Sequence, residues 1–96
     1  MGYNMVDAYF DRNQAALALC ALLRKLEITV GWKDDGDYVD YVIMFADLPT
    51  GQVSWHIPRT EIRLEDWPRY EGLWDFHVTS QKRDRLYEFM QQTLAL

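Results

Sequence analysis

Cysteine occurs once in the 96 residues, at position 20, so an internal disulfide is impossible and a zinc site of several thiolates is excluded. The five glycines never fall in the spacing of a phosphate-cradling loop, and no serine stands in a nucleophile elbow. Long apolar runs are missing too. The most extended, AALALCALL at 15–23, ends at Arg24 and Lys25, well short of the about 20 residues of a membrane span. Asp7, Asp11 and Arg12 precede it where a secretory signal would carry a basic head. These absences predict an unprocessed cytoplasmic chain with no membrane partner, in which Cys20 is a small buried hydrophobe rather than a nucleophile.

Positive charge is scarce as well: 10 Lys and Arg stand against 15 Asp and Glu, a formal charge of −5. Such a chain has little general attraction for a phosphate backbone, which argues against direct nucleic-acid binding. It is instead steered toward basic surfaces on other proteins, including grooves built for nucleic acid. Apolar residues make up 49% of the chain, with four Trp, six Tyr and four Phe, enough for one economical core and far from a disordered composition. A single domain over residues 1–96 is expected, without repeats or linkers.

Hydrophobic periodicity supplies the elements. Leu19, Leu22, Leu23 and Leu26 recur at helical spacing, with Ala15 and Ala16 extending the stripe, so a helix is predicted from about Asn4 to Leu26. Asn4 suits its N-cap and Asp7 its positive end. From Ile28 to Lys33 the period becomes two, and the Asp-Gly signal in DDGD at 34–37 predicts a hairpin into a strand over Tyr38–Ala46. Both faces of that strand are apolar toward its end, which predicts a central position. After the turn LPTGQ, Val53, Trp55 and Ile57 alternate with Ser54 and His56 in a third strand limited by Pro58. Ile62 and Leu64 suggest a short extended piece. Trp67, Tyr70, Trp74 and Phe76 then belong to an aromatic loop covering one end of the sheet. Thr79 or Ser80 opens a last helix whose apolar face carries Leu86, Phe89, Met90 and Leu94, while Lys82, Arg83 and Arg85 interleave with Asp84 and Glu88 as a salt-bridged, solvated face. The fold class is therefore α+β, a three-stranded antiparallel sheet flanked by an N-terminal and a C-terminal helix, α-β-β-β-α.

Chemistry-bearing clusters are few. His56 and His77, with Asp75, Asp40 or Glu61, could form an acid–base pair or a mixed metal site, but two histidines 21 positions apart fit no ligand spacing. Imidazoles bonded to backbone or carboxylate beside Trp55 and Trp74 are the better reading. Asp34, Asp35, Asp37 and Asp40 resemble a calcium loop in composition alone: Gly36 comes third after Asp34, not sixth, and Phe45 occupies the place of the closing glutamate. No metal and no cofactor is expected.

VSWHIP at 53–58 together with WDFHVTSQKRDRL at 74–86 resembles a group of small phage and prophage proteins, whose pattern reads Val-Ser-Trp-His-Ile, then Trp-Asp-Gly-His-Thr-Thr, then Lys, Arg and Leu. The chain keeps Trp55, His56, Trp74, Asp75, His77, Thr79, Lys82, Arg85 and Leu86. It departs at Phe76, Val78, Ser80 and Gln81. The resemblance covers roughly the carboxyl-terminal half and implies a mobile-element origin. Small acidic phage proteins include inhibitors of bacterial defence, anti-CRISPR proteins among them. By that analogy the chain is expected to be a non-enzymatic inhibitor that binds a host protein or nucleoprotein complex such as a CRISPR effector. Its contact surface would be Asp34, Asp35, Asp37 and Asp40 with Trp67, Tyr70 and Phe76. The alternatives are an accessory module that binds another host factor or forms a homodimer, and a small hydrolase using His56, His77 and Asp75.

Overall fold

The computed structural model describes the backbone of residues 5–73 and 79–94, and side chains over 12–73 and 82–93. Its elements run α1 (Met5–Lys25), β1 (Thr29–Asp34), β2 (Tyr41–Leu48), β3 (Gly51–Pro58), two 3₁₀ turns at Arg59–Glu61 and Leu64–Asp66, and α2 (Thr79–Leu94). The three strands form an antiparallel sheet in the order β1-β2-β3, flanked by the two helices. The α-β-β-β-α topology and the central place of β2 agree with the sequence. Among the described residues no helix is long and apolar enough to cross a membrane.

β2 explains the sheet. Val42, Ile43, Met44, Phe45 and Ala46 are all buried, because one face of the strand meets the helices and the other meets the chain that follows β3. Toward the helices lie Val42, Met44, Ala46 and Leu48, with Val30 of β1, Val53 and Ile57 of β3, and Ala16, Cys20, Leu23 and Phe89 from the helices. Full burial of each larger aliphatic or aromatic side chain contributes about 1.5–3 kcal/mol.

The apolar stripe of α1 is rotated from its expected position. Ala16, Cys20 and Leu23 are buried, Leu17 and Leu19 partly so, whereas Leu22 is 42% and Leu26 40% exposed. AALALCALL is apolar all round, so spacing alone cannot select the face that meets the sheet. The helix ends in a Schellman arrangement, with the Ile28 N–H donating to Leu23 C=O (3.0 Å) and the Glu27 N–H to Arg24 C=O (3.0 Å). Glu27 takes the left-handed conformation there, φ 64°, where glycine is usual. Asn4 lies outside the described residues, as do the side chains of Asp7 and Thr79.

Both sheet edges are partly covered. Beyond β1, the Trp32 N–H donates to Pro68 C=O (3.1 Å) and its C=O accepts the Tyr70 N–H (2.9 Å), a parallel bridge where the sequence suggested only loop. Gly31 permits it: a Cβ would stand 2.7 Å from the Tyr70 nitrogen. Beside β3, α2 lies along the outer edge. Lys82 Nζ donates to Ser54 Oγ (2.6 Å), Arg85 Nη1 to Gln52 C=O (2.9 Å), and Thr50 Oγ1 to Arg85 C=O (2.7 Å). Lys82 and Arg85 thus reach the sheet, where the sequence suggested a solvated face; bonding at β3 outweighs local charge pairing. Such cover shortens the row of unpaired backbone groups that templates aggregation.

Candidate functional site

The β1–β2 connection is longer than the expected tight hairpin, because Asp35 organises it. The strand predicted from Tyr38 begins only at Tyr41, and residues 35–40 form a tip. Asp35 turns inward, 7% exposed, and its Oδ1 accepts the N–H groups of Asp37 (3.0 Å) and Tyr38 (3.3 Å). Its other oxygen lies 3.6 Å from His56 Nε2. The Tyr41 N–H donates to Tyr38 C=O (3.2 Å), and the Arg59 N–H to Asp40 C=O (2.9 Å). Arg59 Nε donates to Val39 C=O (2.7 Å), while the same guanidinium pairs with Asp34.

With its backbone so committed, the tip directs its side chains to water. Tyr38 is 66% and Val39 79% exposed, and Tyr41 is also exposed. Asp37 and Asp40 flank them, exposed, and among the described residues neither carboxylate takes part in an ion pair. Ordering of this kind lowers the entropy lost when a partner docks, and exposed aromatic anchors are what such docking uses.

The four aspartates therefore divide. Asp37 and Asp40 are outward and acidic. Asp34 is bound by Arg59 and by Arg69 Nη2 (3.1 Å), and the Arg59 hydrogen bond, followed by that of Arg69, holds its carboxyl below the usual range. Arg69 in turn lies over the Trp32 ring, 4.3 Å from its centroid. Asp35 is internal scaffolding: its side chain is buried, caps two N–H groups and lies beside His56.

The aromatic residues divide likewise. Tyr70 is 7% exposed, stacked on Phe45 at 4.6 Å on the sheet face away from the main core. Its hydroxyl donates to Asp47 Oδ1 (2.7 Å) and accepts from Gln52 Nε2 (2.8 Å). Burial, and then the Asp47 carboxylate, raises the phenol pKa. Trp67 is half-buried against the core; its C=O accepts the Trp32 indole N–H (3.3 Å), and the Arg24 guanidinium lies 5.3 Å above its ring. Asp35 and Tyr70 are therefore unavailable as surface. Phe76, Trp74, Asp75 and His77 lie outside the described residues. Tyr38, Val39 and Arg59 carry no sequence signal of their place at the tip: the first two fall in an alternating strand pattern, and nothing local marks Arg59.

His56 is exposed and, besides its neighbour Asp35, borders a second feature, a cleft of about 900 Å³ between α1, β3 and α2. Arg12, Lys82 and Arg83 are among the residues that line it. Burial, and secondarily Arg85, holds the Lys82 ammonium below the ordinary lysine range. Among the described residues no cluster of three or more His, Cys, Asp or Glu is arranged to hold a metal. Cys20 is fully buried, and desolvation pushes its thiol up to about 12, which suits a packing role.

An α+β scaffold with a pinned acidic–aromatic tip and a basic-lipped cleft is the class that fold and site define. By its match over residues 2–89, the chain belongs to the WDGH domain family. Read as residues, that description spells Trp-Asp-Gly-His, and this chain carries Trp74-Asp75-Phe76-His77. No curated protein and no solved structure matches the chain.

Proposed function

We propose that this protein acts by stoichiometric binding rather than by catalysis, with the β1–β2 tip as the contact element and a positively charged protein surface as its partner. The observation that carries this reading is the tip itself: the N–H groups of Asp37 and Tyr38 and the C=O groups of Tyr38, Val39 and Asp40 are bonded within the chain, while Tyr38 and Val39 face solvent between two exposed carboxylates. An acidic rim speeds encounter with a basic surface, and the aromatic–aliphatic pair supplies buried contact once docked. The resemblance to phage proteins directs the proposal to a host defence complex. A CRISPR effector, whose nucleic-acid groove is basic, is the target by which the chain would inhibit in the bacterial cytoplasm.

The test uses a purified effector and its labelled target DNA. Added protein is expected to displace the DNA in proportion to its concentration, less well as salt rises. Tyr38→Ala or Val39→Ser should weaken this by about 30-fold, the scale of an interface anchor of about 2 kcal/mol. Undiminished DNA binding across effectors would refute the CRISPR assignment, and a displacement indifferent to both substitutions would refute the tip. The exposed Leu22 on α1 and Leu26 just beyond its end, beside exposed Ala15, Ala18 and Ala21, favour self-association as a second reading. Sedimentation velocity of the wild type against Leu22→Glu decides it: a dimer is expected to dissociate, and a monomer at all concentrations would end that reading.

A further inference from the structure

Among the described residues, the lining of the cleft between α1, β3 and α2 carries charge of the sign opposite to that of the protein as a whole. Its floor is aliphatic and aromatic, formed by Leu19, Val53, Trp55, Ile57 and Leu86. Arg12, Lys82 and Arg83 line the cleft, and none of the described acidic residues does, although the chain contains 15. Arg12, His56 and Lys82 have interactions within the chain as well, so the inference rests on the sign of the charge and the shape of the cleft. Tyr87, 57% exposed, stands at the lip on α2.

We propose that this cleft is a second docking site, separate from the tip, for an acidic amphipathic segment of a partner protein. Aliphatic side chains of the segment settle on the Leu19–Trp55–Leu86 floor, and its carboxylates meet the cations of the lining. A volume near 900 Å³ falls within the roughly 300–1,000 Å³ of established ligand sites. Trp55 and Tyr87 among cations also suit stacked bases of a single-stranded nucleic acid. Two features favour the peptide: the floor is largely aliphatic, and a net charge of −5 opposes a long phosphate chain more than a short segment bearing a few carboxylates. The tip and the cleft then select partners of opposite charge, and one chain could bridge them.

The experiment pans a displayed random peptide library against the wild type and against the Arg83→Glu/Tyr87→Ala variant. Both changes are at exposed positions, and circular dichroism with a urea titration verifies the fold; Arg83→Gln alone is the milder companion. Peptides retained by the wild type and lost by the variant are expected to be net acidic and to carry Leu, Ile or Phe. Their affinity should fall by at least about tenfold in the variant and stay unchanged in Tyr38→Ala, which separates this site from the tip. The proposal is overturned if variant-sensitive peptides are basic, if none is variant-sensitive, or if labelled oligo-dT binds the cleft more tightly than the selected peptides.

Discussion

Replacing Asp35 by alanine should loosen the tip without emptying the core, and replacing it by asparagine should not. In Asp35→Ala the N–H groups of Asp37 and Tyr38 lose the oxygen that accepts them at 3.0 and 3.3 Å. Hydrogen bonds to a charged acceptor are worth about 1.5–3 kcal/mol each, but here the freed N–H groups can rehydrate, so about 1 kcal/mol each, or about 2 in total, is expected. The His56 contact at 3.6 Å adds at most a few tenths, because that imidazole is half exposed. Asn keeps the accepting oxygen and loses only the charge, so Asp35→Asn should cost under about 1 kcal/mol. For a domain of this size, about 2 kcal/mol lowers the urea midpoint by roughly 1–2 M and the melting temperature by about 10 °C. Amide exchange at Asp37 and Tyr38 should accelerate by about 30-fold, while core amides of β2 keep the order of their protection. An unfolding free energy for Asp35→Ala within about 0.5 kcal/mol of wild type would refute this account. So would an Asn variant as damaged as the Ala one, since that would place the stabilisation in the charge rather than in the accepted bonds.

Glu27→Gly should stabilise the fold by about 0.5–1 kcal/mol in a chemical denaturation curve, since the left-handed conformation costs an ordinary residue about 1–2 kcal/mol and glycine returns part of that as unfolded-state entropy; a destabilised variant would count against the Schellman end of α1. Tyr70→Phe should cost about 1 kcal/mol near neutral pH by leaving Asp47 and Gln52 without the hydroxyl. Because the phenol pKa is raised in the fold, its protonic contribution is complete below about pH 10 and is lost as pH rises through the folded value, so the wild-type advantage over Tyr70→Phe should shrink in that alkaline window. Lys82, whose pKa is lowered, acts in the opposite sense there, which is why the comparison is made between two proteins that both contain it. Cys20 should react with a thiol reagent at pH 8 only in step with unfolding by urea, its thiol being buried with a pKa of about 12; rapid labelling of the native protein would contradict the packing of α1 on the sheet.

What the sequence determined by itself is what short-range periodicity can carry. The change from a period near 3.6 to a period of two after Leu26, the turn signals at 34–37 and 48–52, and the return to helical spacing after Thr79 specify the element order and the central β2. They also separate the two faces of β3, with Val53 and Ile57 in the core and Ser54 and His56 opposite. Which side of α1 meets the sheet was not legible, because nine apolar residues in succession leave the choice to volume matching against Val30, Met44 and Val53. The site was half legible: an acidic tip was expected, yet which carboxylate faces water depended on partners far along the chain. Arg59 and Arg69 take Asp34 from 25 and 35 positions away, and His56 lies beside Asp35. Tyr70 likewise reads as a loop aromatic until Gly31 admits its backbone to the edge of β1 and Phe45 receives its ring. Local pattern states which residues can be buried together; only the packed chain decides which polar groups are consumed in holding it and which remain for a partner, because each such bond joins segments whose separation the sequence does not encode in any repeating form.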